Sequence, residues 1–340
     1  MSFFKELDHL RIPFQDIVVA TKNFTTIIGR GGYGPVYTGK LSLSGNLTPV
    51  AVKRLPFINL SGQGLKEFLT EINLLSRYKH PNLVSLLGYC EEGNEKILVY
   101  EYAEHGSLDR YLNKSNTTCP LTWTQRINIC IDAARGLDYL HNHVGANHRV
   151  IHRDIKSANI LLDKNWKAMI GDLGLSKIGR ANENETYLIT NGGGTHGYCD
   201  PTYINTGILT KESDVYSFGV VLFEVLCGRM CFMDVIGEQR HLVPLALRCY
   251  EEGKLNVIMD LDSMDSESVK EFTDIAYRCL HNDRKGRPSM NLVIQKLEKA
   301  LELHEISRTF LQSLFWEKLG DISEGSKFLG IFEEIYFLSI

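Results

Sequence analysis

The sequence predicts an α+β protein of two lobes, a small β-rich one followed by a larger helical one. Three observations carry this. Residues 25–55 are rich in Gly, Val, Tyr and Thr, and in "GKLSLSGNLTPVAVKRL" the triplet "SGN" separates two β-like runs, which reads as a small antiparallel sheet. A single amphipathic helix follows, "QGLKEFLTEINLLSRY", with Leu65, Phe68, Ile72 and Leu75 at helical spacing. After "EHGSL" long helical patterns take over, so the lobes join near residues 101–106.

Element by element, "LVSLLGYC" and "KILVYEY" return to strand patterns after the amphipathic helix. The helical half is carried by "TWTQRINICIDAARGLDYLHNHV", "KESDVYSFGVVLFEVLCGR" and "MNLVIQKLEKALELHEI". The most apolar run, "VYSFGVVLFEVLC", is shorter than the roughly 18 residues a membrane span needs and carries Glu224, so it reads as a buried core helix. From about Arg308 the aromatic-rich "FLQSLFWEKL" and "FLGIFEEIYFLSI" follow no placed motif. An accessory helix packed on the main domain is one reading and a partner-docking segment the other. The expected division is residues 1–24 as a juxtadomain segment, 25–303 as the main domain (lobes about 25–103 and 104–303) and 304–340 as a tail.

Composition limits the function classes. With 340 residues, 44% hydrophobic and 23% charged, the chain is an ordinary folded protein able to bury a sizeable core. A net charge of -4 gives no overall nucleic-acid signature. The eight cysteines show no paired CxxC spacing and no secretory or lipidation signal precedes them, so reduced thiols and a cytoplasmic location are expected. His141, His143, His148 and His152 lie close in sequence but match no zinc spacing.

"IGRGGYGPVY" spaces Gly29, Gly31 and Gly34 as GxGxxG, which serves either a dinucleotide or the phosphates of ATP. The dinucleotide reading needs a helix after the third glycine and an acid about 20 positions on. Instead "PVYTGKL" reads as strand, and Lys53 stands 19 residues after Gly34. A lysine there suits phosphate. "VIHRDIKSANILLD", "GDLGLS", "GTHGYCDPTY", "SDVYSFG" and "RKGRPSM" then follow in the order that a protein kinase needs.

On these motifs the chain resembles the eukaryotic protein kinases of serine/threonine type. Within them "VVATKNF", "GGYGPVY", "HPNLVSLLGYC", "LVYEY", "HRDIKSANILL" and "DVYSFGVVLFEVLCGR" are similar to plant receptor-like kinases of the Pelle and interleukin-receptor-associated group, over about residues 12–303. The resemblance implies the bilobal kinase fold and transfer of the ATP γ-phosphate to serine or threonine hydroxyls. It implies a nucleotide site of Ile28, Gly29, Arg30, Gly31, Gly32, Tyr33, Gly34, Val36, Ala51, Lys53, Glu101, Tyr102, Ala103 and Leu161, with Tyr100 as a bulky gatekeeper. Lys53 would bind the α- and β-phosphates, held by Glu71. Asp172 and Asn159 would supply oxygen ligands to Mg²⁺, or to Mn²⁺. Asp154 would orient the acceptor hydroxyl, with Lys156 on the γ-phosphate and Thr195 contacting this pair.

The activation segment, residues 173–202, would be switched by phosphate on Thr186 or Thr190, with Tyr187 a further acceptor, opposite Arg153. Implied partners are protein substrates, an upstream receptor kinase that would place the chain at the inner face of the plasma membrane, and transient self-association. No nucleic acid and no membrane span are expected. Three positions depart from the family pattern. Leu173 replaces Phe in a column with Leu75, Leu86 and His152. Pro35 follows the third glycine. Thr202 replaces a Glu that would pair with Arg287, and stranding one partner of a buried ion pair costs about 3 to 5 kcal/mol. That last departure supports an alternative, a pseudokinase scaffold that binds nucleotide and partner kinases.

Overall fold

The computed structural model describes residues 7–31, 34–43, 45–55, 62–112, 120–181, 188–190, 193–233, 237, 240–259 and 264–322, with side chains as far as residue 313. Helix α1, Phe14–Ala20, precedes five strands: β1 Ile27–Gly31, β2 Gly34–Leu43, β3 Asn46–Arg54, β4 Leu86–Glu92 and β5 Glu95–Glu101. They form one antiparallel sheet in the order β1-β2-β3-β5-β4. Gly45, at φ 84°, makes the β2–β3 turn that the "SGN" punctuation predicts.

Alternation along β3 divides the sheet's two faces. Val50 and Val52 point outward into a small core with Ile12, Ile17, Leu41, Cys90, Ile97 and Val99, whereas Ala51 packs on the main core. Residues 10–17 therefore cover the outer face. They lie so close that a Cβ on Gly88 would meet Ile12 Cδ1 at 2.4 Å and the Leu10 carbonyl at 2.6 Å.

Helix α2, Gln63–Arg77, covers the inner face with Phe68, Ile72 and Leu75 buried as the spacing predicts, although Leu65 at its start is only partly buried. Glu67 and Glu71 are buried on the same helix. Its place beside the site is fixed by Gly174, where a Cβ would stand 3.0 Å from Glu67 Cβ.

The second lobe holds β6 Gly106–Ser107, α3 Trp123–Asp138, β7 His148–Ile151, β8 Ile160–Leu162, β9 Ala168–Ile170, β10 Lys177–Arg180 and β11 Leu188–Ile189. It continues with α4 Pro201–Thr206, β12 Ile208–Leu209, α5 Lys211–Cys227, α6 Leu242–Glu251, α7 Ser266–Cys279 and α8 Met290–Ile322. A capping box between Thr122 and Gln125 starts α3. Every residue of α5 from Ser213 to Cys227 is buried, as expected of the apolar run, and two of them are carboxylates, Asp214 and Glu224. One apolar cluster spans both lobes, from Phe68 and Leu75 through Leu173 to Phe218 and Phe272. Among the described residues no helix is long and apolar enough to cross a membrane. The last helix runs through the first aromatic stretch of the tail, in which Phe310 and Leu311 are exposed, as is Ile306 just before it.

Candidate active site

The face of β3 that carries Ala51 also carries Lys53, which brings its ammonium under the sheet toward α2. Lys53 Nζ lies 3.3 Å from Glu71 Oε2 and 2.7 Å from Asp172 Oδ1. Burial acts to lower the lysine pKa, but Asp172 and Glu71 outweigh it and hold the ammonium above its ordinary range. Burial pushes the Glu71 carboxyl up. Asp172 falls below the ordinary carboxylate range because Lys53 overcomes its burial. Tyr100 is buried, and burial together with the Glu71 charge raises its phenol. One cation thus serves two carboxylates.

A loop from β7 to β8 carries the second group. Asp214, buried on α5, accepts the amide protons of His152 and Arg153 at 2.7 Å each and pairs with His141 Nε2 at 2.9 Å. Arg153 sits at φ 74°, a strained conformation for a side-chain-bearing residue, held by that carboxylate. The loop is completed by His152, whose Nδ1 accepts from Asp154 N (3.2 Å) while Nε2 faces the Gly171 carbonyl (3.0 Å).

Asp154, Lys156 and Thr195 form a closed triangle. Thr195 Oγ1 donates to Asp154 Oδ1 at 2.7 Å, and Lys156 Nζ lies 2.8 Å from both Asp154 Oδ2 and Thr195 Oγ1. Asn159 Nδ2 donates to the Asp154 carbonyl at 2.8 Å and to its Oδ2 at 3.2 Å. With Nδ2 committed, Asn159 keeps its amide oxygen as an acceptor, and Asp172 uses Oδ1 on Lys53. Two hard oxygen donors of this kind suit Mg²⁺.

The glycine stretch is a β1–β2 hairpin in which Gly31 pairs Gly34, Arg30 pairs Pro35 and Gly29 pairs Val36. Gly34, at φ 125°, needs a residue without Cβ. Gly32 and Tyr33 lie outside the described residues, as do Thr186 and Tyr187. Arg110, at the start of the second lobe, donates to the Ile28 carbonyl and ties the hairpin across the cleft. Val36 pairs Lys53 and Ala51 pairs Tyr100, so all four belong to the same sheet. Behind Tyr100 come Glu101, whose amide donates to the Ser85 carbonyl (3.0 Å), then Tyr102, then Ala103, whose carbonyl accepts from Gly106 N (3.0 Å). Leu161 stands on β8 opposite Met169. Leu173, Leu75, Leu86 and His152, the four residues of the expected column, are all buried.

Thr190 is brought near Arg153 through one phenol. Tyr203 Oη accepts from Arg153 Nε at 2.9 Å and lies 2.7 Å from Thr190 Oγ1. The expectation of a stranded Arg287 is corrected. Asp200, two residues before Thr202, takes its place: Oδ1 lies 2.9 Å from Arg287 Nη2 and Oδ2 lies 3.0 Å from Arg284 Nη2. Arg287 also donates to the Glu212 and His281 carbonyls at 2.9 and 2.8 Å. Burial raises the Asp200 carboxyl, but the bond and charge of Arg287 prevail and hold it below the ordinary range. Thr202 only donates its amide to Asp200 Oδ1, at 3.0 Å.

Sequence reasoning missed Asp214, Asp200 and Arg284. All three stand inside quoted motifs, and the available signal was charge placed within or beside apolar helices. The four clustered histidines go to separate partners: Asp214, Asp138, Tyr78 and the Gly171 carbonyl.

Residues 23–297 match the family model described as protein tyrosine and serine/threonine kinase. A putative receptor-like protein kinase of Arabidopsis thaliana is 46% identical over 306 residues, 88% of this chain and 34% of that protein. The receptor-like protein kinases FERONIA and ANXUR1 of Arabidopsis thaliana are each 46% identical, over 298 and 302 residues, which is 86% and 87% of this chain and 32% and 34% of theirs. The chain spans about a third of the length of the curated relatives it matches.

Proposed function

The chain belongs to the protein tyrosine and serine/threonine kinase family, and on that premise we propose that it transfers the γ-phosphoryl group of ATP to serine and threonine hydroxyls of proteins. Its own activation segment is one such substrate, and its setting is plant receptor signalling at the inner face of the plasma membrane. The observation that carries the reading is the Asp154–Lys156–Thr195 triangle beside the Lys53–Glu71–Asp172 group.

Phosphoryl transfer needs little covalent work from the protein, so positioning and charge neutralisation are the task. Gly29, Gly31 and Gly34 let the hairpin backbone approach the phosphates, while Val36, Ala51 and Leu161 enclose the base against the backbone of residues 101–103. Lys53 neutralises the α- and β-phosphates, kept in place by Glu71. Asn159 and Asp172 would hold Mg²⁺, which when bound would neutralise phosphate charge. Asp154 orients the acceptor hydroxyl and receives its proton, with Oδ1 already accepting one hydroxyl, that of Thr195. Lys156, bridging Asp154 and Thr195, is placed to neutralise the transferred group.

The serine/threonine class rests on Lys156 and Thr195. Phosphoamino-acid analysis after incubation with labelled Mg-ATP tests it: label on phosphoserine or phosphothreonine is expected, and label confined to phosphotyrosine would contradict it. For switching, Thr190 stands one phenol from Arg153, so a phosphate there would gain charge-assisted hydrogen bonds. Mass spectrometry should find phosphate on Thr190 or Thr186, and full activity of the doubly alanine-substituted chain would sink the switch. The scaffold alternative drew on Thr202, and the Asp200 clasp weighs against it.

A further inference from the structure

We propose that an exposed surface of His196, Phe232, Arg240 and His241 receives an acidic side chain flanking the phosphoacceptor of the protein substrate. The inference rests on the kinase reading above. His196 directly follows Thr195, whose hydroxyl donates to Asp154 Oδ1. A Cβ on the neighbouring Gly197 would stand 3.0 Å from Cys231 Sγ, so this loop lies against the turn that begins at Cys231. That turn is closed by Leu242 N donating to Cys231 O (2.9 Å), Met233 N donating to Arg240 O (3.0 Å) and a bridge between Phe232 and His241.

Across the two loops the rings meet. The His196 centroid lies 6.4 Å from Phe232 and 6.3 Å from His241, Phe232 and His241 are 5.5 Å apart, and Arg240 Cζ lies 5.0 Å from the Phe232 centroid. All four residues are exposed. Among the described residues none of the three nitrogenous side chains has a carboxylate partner, whereas the acids that touch the two loops are engaged elsewhere: Asp154 with Lys156 and Thr195, Glu224 with Tyr198 and the Cys231 amide, and Asp200 with Arg284 and Arg287. Asp234 and Glu238 of the same turn lie outside the described residues. A guanidinium steadied on an aromatic face presents its donors in the fork that carboxylate and phosphate match, and two imidazoles add donors beside it. The chain's own sequence offers such an acceptor, Thr186, with Glu183 and Glu185 just before it.

The test uses the full chain and peptides with one threonine in an alanine background, with Glu, Lys or Phe scanned over the flanking positions. Initial rates are read together with fluorescence anisotropy of the labelled peptides, which needs no transfer. The expected result is a Glu at one flanking position favoured about threefold to tenfold, in KM and in Kd, as exposed charge pairs allow. The preference should fade at high salt, weaken in Arg240→Lys, which keeps the charge without the fork, and vanish in Arg240→Glu. Equal use of all peptides, a preference for Phe or Lys, or a Glu preference that survives Arg240→Glu would each overturn it while leaving the kinase reading standing. Selective binding of the Glu peptide without transfer to any peptide would uphold this surface and refute the transferase reading.

Discussion

Glu224 sits inside α5 with Tyr198 Oη donating to its Oε1 at 2.7 Å and the Cys231 amide at 2.6 Å, while Oε2 is buried without a partner. Burial pushes this carboxyl from an ordinary 4.5 up to about 7. The folded chain therefore keeps a proton between those values that the unfolded chain has lost. Stability from this group is present below about 4.5, declines as pH rises to about 7 and is flat above. Glu224→Gln, neutral throughout, should melt at nearly the wild-type temperature at pH 5 and higher at pH 8, by on the order of 2 to 3 kcal/mol of unfolding free energy. Parallel melting curves from pH 5 to 8 would contradict this. Lys53, Asp154, Asn159 and Asp172 could be singled out in the sequence because each stands at a fixed offset within a motif, whereas Glu71 came only from the family resemblance. Asp200 could not, because its arginines lie 84 and 87 residues away and only the fold closes that distance.

Among the elements, α4 is held to the turn before α8 through Asp200. Asp200 and Arg287 have fully buried side chains, and Arg284 is partly buried. Asp200→Ala would strand both guanidinium groups and should cost about 3 to 5 kcal/mol. Thr202→Glu should change the melting temperature and rate little, since Arg287 is already satisfied. Chemical denaturation of the two variants checks this, and a large gain from Thr202→Glu would restore the view that Thr202 is a defect. Strands and helices were legible where a periodic pattern met clear turn residues, as in the "SGN" hairpin and α2. The course of α8 into the tail was not, because Ile306, Phe310 and Leu311 make an apolar pattern that local spacing cannot assign to a buried or an exposed face.

At the scale of the molecule, the outer face of the sheet is closed by residues that precede the family match. Ile17 is buried against the sheet's outer core although residue 23 opens the matched span. Ile17→Ala should lower stability by about 2 to 5 kcal/mol, seen as an earlier urea midpoint, and an unchanged midpoint would show that α1 adds nothing to the lobe. That role was not legible, since a seven-residue helix is too short for its period to reveal what it packs on.

Phosphoryl transfer by this chain is read by the initial rate of label transfer from Mg-ATP to a serine/threonine peptide. Turnover is expected of the wild-type chain, with a loss of at least about 100-fold in Asp154→Asn and in Lys53→Met, because a preorganised charge is removed from the site. A wild-type rate no higher than that of the two variants would contradict it.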